Sequence, residues 1–193
     1  GGVLVRRKGV YLAQLNGSYA EMGRQHGELA SAVSADLTPQ YINGLVKQLI
    51  AHALPPLAAP AAWLLKEVFR RRNRGALGAD MQAHLAALAA AYGQPSVMAE
   101  RLFFVPDIFH YLAGRSFSML APPPACSCLF ARDTATADGK LLVGRNFDFF
   151  GRNVWNTNQA LIVMQPDNGR RFCWLGTLGV SGSGQGFNES GLF

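Results

Sequence analysis

Apolar residues recur at helical spacing through roughly the first two thirds of the chain and at strand spacing after it. Ser18 and Glu21 have the spacing of a capping box, in which the serine hydroxyl takes a backbone N–H and the glutamate reaches back to the N–H of the cap residue; a first helix is expected there. Further helices are expected from about Pro39 to His52 and from about Ala58 to Arg72. Asp80 is expected to cap an Ala-rich helix with Met81, Leu85 and Leu88 at helical spacing, ended by Gly93. Ser96 starts another, interrupted by Pro106. Ala121-Pro-Pro-Pro-Ala125 excludes helix and predicts a stiff, extended connector.

From Cys126 the period changes to two. Cys126–Ala131 and Leu141–Arg145 flank the turn-rich Thr136-Ala-Asp-Gly139, and Ala160–Met164 and Phe172–Leu175 flank Pro166-Asp-Asn-Gly169; both are hairpin patterns. Gly179–Phe187 reads as a Gly/Ser-rich strand or strand and turn, and Leu192 and Phe193 as the start of another strand. The class expected is α+β: a helical region over 1–125, including the connector, then antiparallel sheet over 126–193. The apolar faces of such a sheet need a covering layer, either the upstream helices or chain beyond Phe193.

Composition narrows this little. At 193 residues, 49% hydrophobic and 16% charged, the chain can bury a core. The net charge of +6 gathers most visibly at Arg70, Arg71, Arg72 and Arg74, just after Trp63, Leu64 and Leu65. Such a cluster reads first as a solvated helix end and next as a membrane-surface contact; without interleaved aromatics it does not read as a nucleic-acid stripe. The apolar stretch Leu49–Leu65 is broken by Pro55, Pro56 and Pro60 and is short for a span, so a buried or surface-lying helical hairpin is expected. Three cysteines make no disulfide framework, and Cys126-x-Cys128 with a distant Cys173 lacks the spacing of a zinc knuckle. Gly182-Ser-Gly-Gln-Gly186 lacks a P-loop lysine and following helix, and reads as close strand packing. No metal or cofactor is implied. The start at Gly1 rather than Met reads as a processed or trimmed sequence.

The chemistry centres on Cys126. The first hairpin returns Gly144-Arg-Asn-Phe-Asp148 to the start of its first strand, and so brings Arg145 and Asp148 towards the thiol. A cation beside a thiol favours thiolate, a carboxylate can orient an amine, and Asn146 offers an amide to a turn or a substrate. A polar strand end with a solvent ion pair is the plainer alternative. All four histidines precede Cys126, which counts against a papain-like Cys–His pair. The α-amine of Cys126, freed by cleavage after Ala125, would serve as the base. His26 reads as a buried structural contact.

Cys126-Ser-Cys-Leu-Phe-Ala131, Thr136-Ala-Asp-Gly-Lys140, Gly144-Arg-Asn-Phe-Asp148 and Gly186-Phe-Asn-Glu-Ser-Gly-Leu192, with Gly17-Ser-Tyr-Ala-Glu-Met-Gly-Arg-Gln-His-Gly27 upstream, resemble the acyl-coenzyme A:6-aminopenicillanic acid acyltransferase family. They are more distantly similar to choloylglycine hydrolases and penicillin V acylases. The resemblance implies an N-terminal-nucleophile hydrolase with an αββα sandwich, incomplete in this chain, preceded by the helical region. It implies self-cleavage between Ala125 and Cys126, where the family usually has glycine at the position of Ala125. Cys126 then acts as nucleophile, with Arg145 and Asp148 beside it. The expected reaction is attack on a linear amide of a small N-acyl compound through a thioester acyl-enzyme, ending in hydrolysis or acyl transfer, with the cleaved halves staying associated. Phe149 and Trp155 join Asn146 as candidate substrate contacts, Asn188 is expected to be structural at a turn, and the oxyanion-hole asparagine is expected beyond Phe193. Export or membrane association in a bacterium is the localisation that relatives suggest. The competing class is a truncated, non-catalytic fragment, at most a membrane-associated or binding module.

Overall fold

A computed structural model of the chain describes residues 1–34, 55–104, 107–108, 111, 126–147, 157–181 and 185–192. The expected helix over Pro39–His52 and the connector Ala121–Ala125 lie outside the described residues.

The chain begins with strands, which corrects the helical reading of the N-terminal region. β1 (Val3–Arg7) and β2 (Val10–Gly17) pair antiparallel, with Arg7 opposite Val10. The Lys8-Gly9 loop between them has φ of +48° and +86°, the left-handed pair whose twist suits a two-residue hairpin. Along β2 the alternation is strict: Tyr11, Ala13 and Leu15 are buried, and the intervening residues are not. Helix α1 (Tyr19–Ser31) follows directly. The expected capping box is present: Glu21 N–H donates to Ser18 Oγ (3.3 Å) and Ser18 N–H to Glu21 Oε2 (2.8 Å). The Gln25 side chain fixes the entry angle. It accepts from Asn16 N–H (3.1 Å) and donates to Asn16 C=O (2.8 Å).

Three further helices are described: α2 (Ala58–Asn73), α3 (Ala79–Ala91) and α4 (Ser96–Phe103). Gly78, not Asp80, is the N-cap of α3. Asp80 lies in the first turn, where a carboxylate meets the positive end of the helix dipole instead of capping an N–H. Gly93 follows α3 at φ +65°, as its place after the last helical residues suggests. Helix α4 ends at Phe103, just ahead of Pro106.

The remaining strands are β3 (Cys126–Asp133), β4 (Gly139–Phe147), β5 (Gln159–Pro166), β6 (Phe172–Thr177) and β7 (Gly186–Asn188). Both expected hairpins form, β3–β4 and β5–β6. Leu192 opens no strand; it closes a turn by donating its N–H to Asn188 Oδ1 (3.1 Å), while Ser190 N–H donates to the same oxygen (3.0 Å). Asn188 is thus a turn residue, as expected.

The larger sheet has the order β1-β2-β5-β6-β7, and β3–β4 forms a separate two-stranded sheet. β2 and β5 run parallel, in register from Tyr11 opposite Ala160 to Gly17 opposite Pro166. The expected purely antiparallel sheet is therefore corrected to a mixed one, with strands from both sides of residue 125. One face carries Ala13, Leu15, Ala160, Ile162, Met164 and Trp174, buried in one core with Met22 and Ala30 of α1. The opposite face remains apolar and open, with Val3, Val5, Leu175 and Phe187 all exposed.

Helix α3 packs on α1 at the glycines of α1. A Cβ on Gly23 would overlap the His84 carbonyl, and one on Gly27 would lie 2.8 Å from the Leu88 carbonyl. Two glycines four apart let the backbones approach where any side chain would hold them off. The chain is α+β, with helices on one face of a mixed sheet.

Candidate functional site

Cys126 is the first residue of β3 and is exposed. The Thr136–Gly139 turn sets the hairpin register. Asp138 accepts from Lys140 N–H (3.2 Å), Gly139 takes φ +71°, and a bulge between Ala131 and Asp133 absorbs the extra residue. From there Cys126 pairs with Phe147, Ser127 with Asn146 and Cys128 with Arg145. Strand alternation puts Cys126, Cys128, Arg145 and Phe147 on one face of the ribbon. Arg145 lies diagonally across from Cys126 and donates Nη2–H to its Sγ at 3.4 Å. Its guanidinium also stacks over the Phe147 ring, 5.4 Å from the centroid. A fixed cation thus touches the sulfur.

Asn146 is on the other face, with Ser127 and Leu129. Ala125, Asp148, Phe149 and Trp155 lie outside the described residues.

A cavity of about 380 Å³ adjoins Arg145 and Phe147. The larger sheet contributes Val10, Gln159, Ala160, Leu175 and Gly176 to its lining, and Gln185 adds a second amide. The cavity therefore lies between β4 and the open face of the larger sheet, and it has room for a small organic group. Sequence reasoning missed Gln159, Leu175 and Gln185 because nothing local signals how two sheets stack. The register that places Arg145 near Cys126 places it directly opposite Cys128.

Two other polar clusters are structural. His26 on α1 and His84 on α3 are fully buried, their ring centroids 5.8 Å apart, and both lie against Trp174. His26 Nε2 accepts the Gly179 N–H (3.0 Å) and so ties α1 to the loop after β6, the structural role expected of it. Burial, with the neighbouring His84 second, pushes His26 down to about 3, and burial pushes His84 down to about 4. Both are neutral near pH 7 and remote from Cys126 in the chain's layout, one layer behind the sheet.

The arginine cluster is partly tied down. Glu67 accepts from Arg70 (2.7 Å), Arg71 (2.7 Å) and Arg101 (2.9 Å), and Glu100 from Arg70 (2.9 Å) and Arg74 (3.0 Å). Both carboxylates are buried, and the network clamps α2 to α4. Among the described residues there is no group of three or more metal-ligating side chains.

No family model matches the chain. It is similar to an uncharacterized protein of Archaeoglobus fulgidus, 25% identical over 194 residues. The alignment covers 95% of this chain and 32% of the relative, so the chain spans about a third of the length of the protein it matches.

Proposed function

We propose that Cys126 is the nucleophile of a self-processing amidohydrolase of the N-terminal-nucleophile type. The observation that carries the reading is the Arg145 guanidinium donating to Cys126 Sγ at 3.4 Å, on the first residue of an exposed strand. A cation there stabilises negative charge on sulfur as it attacks. The neighbouring cavity and the open apolar face of the larger sheet fit an αββα sandwich, in which a second sheet covers that face.

In the precursor the Cys126 thiol attacks the Ala125 carbonyl. The peptide C–N bond breaks as the C–S bond forms, and the proton passes from sulfur to the departing nitrogen. Water then hydrolyses this thioester, leaving a carboxylate on Ala125 and a free α-amine on Cys126. In the mature enzyme that amine takes the thiol proton and passes it to the nitrogen of a substrate amide as the amide bond breaks. The acyl group is left on sulfur. Water releases it as an acid, or an amine or thiol acceptor carries it away. Asp148, by the family resemblance, holds the α-amine in place.

The test is intact mass of the purified protein beside Cys126→Ala and Cys128→Ala. Fragments joining at Ala125/Cys126 are expected in the wild type and in Cys128→Ala, and are absent in Cys126→Ala. A single uncut chain in all three removes the self-processing reading and favours a binding module.

A further inference from the structure

We propose that the outer face of α2 docks on an anionic lipid surface. The inference stands independently of any reaction at Cys126. The inner face of α2 is occupied: Ala62 is buried with Ile108, and Leu65 and Phe69 pack beside them. The outer face is apolar as well. Leu64 and Val68 stand at i and i+4 on one face of the helix, and Leu57 ends the short 3-10 turn that leads into it. Leu57, Leu64 and Val68 are 55%, 56% and 47% exposed, and Trp63, about 100° round the helix from Leu64, is 55% exposed. Single exposed apolar side chains are ordinary, but a continuous helical stripe of them is not. An exposed indole on the flank of the same helix suits a boundary between hydrocarbon and water, because its ring is apolar and its N–H polar.

Charge decides between occupants. From Pro55 to Ala79 the chain carries Lys66, Arg70, Arg71, Arg72 and Arg74 against Glu67 alone. Glu67 and the nearby Glu100 are buried and already engaged by arginines, whereas Arg71 and Arg74 stay exposed at the end of the stripe. The surface thus offers apolar contact at one end and, at the other, arginines that outnumber the two buried carboxylates they engage. A second copy brings the same cations and no exposed carboxylate on the stripe to meet them. Phosphate headgroups above acyl chains match both halves. No described helix is long and apolar enough to cross a membrane, so α2 would lie in the plane of the surface.

Flotation of the full chain with vesicles tests this. Vesicles of phosphatidylcholine mixed with phosphatidylglycerol should bind it at least about tenfold more strongly than phosphatidylcholine alone. Leu64→Glu or Trp63→Ser should lower binding to the anionic vesicles about tenfold, while Val3→Glu on the open sheet face leaves it unchanged. All three positions are exposed, and far-UV circular dichroism verifies folding. If Leu64→Glu misfolds, Arg71→Glu with Arg72→Glu reads the electrostatic part alone. Equal binding to both vesicle types, no binding, or binding untouched by these changes overturns the proposal. A dimer in sedimentation velocity that Leu64→Glu dissolves also overturns it, and assigns the face to a second copy.

Discussion

At Arg145, charge and shape can be separated by substitution. The guanidinium reaches Cys126 across the diagonal of a two-stranded ribbon. Arg145→Ala removes a charge-assisted contact worth about 1.5–3 kcal/mol, so self-cleavage and alkylation of Cys126 by iodoacetamide should slow about ten- to a hundredfold. Arg145→Lys should recover part of this, since the charge remains but the planar fork is lost. Peptide masses after timed labelling distinguish Cys126 from Cys128. Unchanged rates at Cys126 in Arg145→Ala would remove the arginine from the site. This pairing was legible in the sequence because one short turn, Thr136–Gly139, fixes the register of everything that follows it. The face of Asn146 was readable from the same register: a one-residue step along a strand reverses the side-chain direction.

At the scale of elements, the crossing of α1 and α3 is set by what two positions lack. Gly23→Ala forces a Cβ into the His84 carbonyl, and the helices must separate or the backbone bend. Overpacking of this kind costs about 1–3 kcal/mol, a fall in Tm of about 3–10 °C for a chain of this size. Gly75→Ala has open space around it and should leave the melting curve within about 2 °C of wild type. Equal melting of the two variants would show that the crossing adapts freely. The capping box of α1 and both hairpins were legible because each is a local pattern that its own backbone satisfies. β1 and β2 were not recognised, although Val3 and Val5, and Val10 and Leu12, alternate on either side of Lys8-Gly9. The other neighbour of β2 is β5, far along the chain, and an Ala- and Leu-rich neighbourhood outweighed a short alternating run.

For the whole molecule, the buried histidine pair makes stability depend on acidity. His26 and His84 are held near 3 and 4, below the ordinary 6.5, because a charged imidazole loses its water there. The unfolded chain therefore takes up protons that the folded one refuses as pH falls below about 6.5. The stabilisation is complete above that range and is lost on acidification, by about 3 kcal/mol from His84 alone at about pH 4. Thermal melts between about pH 7 and about pH 4 should show Tm falling by about 10 °C or more, and His84→Leu should flatten the slope. A Tm independent of pH over that window would mean that the imidazoles are hydrated. The chemistry of the pair was not legible, because His26 and His84 meet only once α1 and α3 cross.

The parallel pairing of β2 with β5 has a consequence for the life history of the molecule. A cut after Ala125 would leave these neighbouring strands on two different peptides, still zipped along the middle of one sheet. The particle would look unchanged from outside. Its route back from denaturation would not: one chain finding its own fold becomes two molecules that must meet, and the unfolding midpoint acquires a dependence on protein concentration. Scission would work as a ratchet. The uncut chain would refold as one molecule, and the cut one would keep its structure chiefly by never letting go of it.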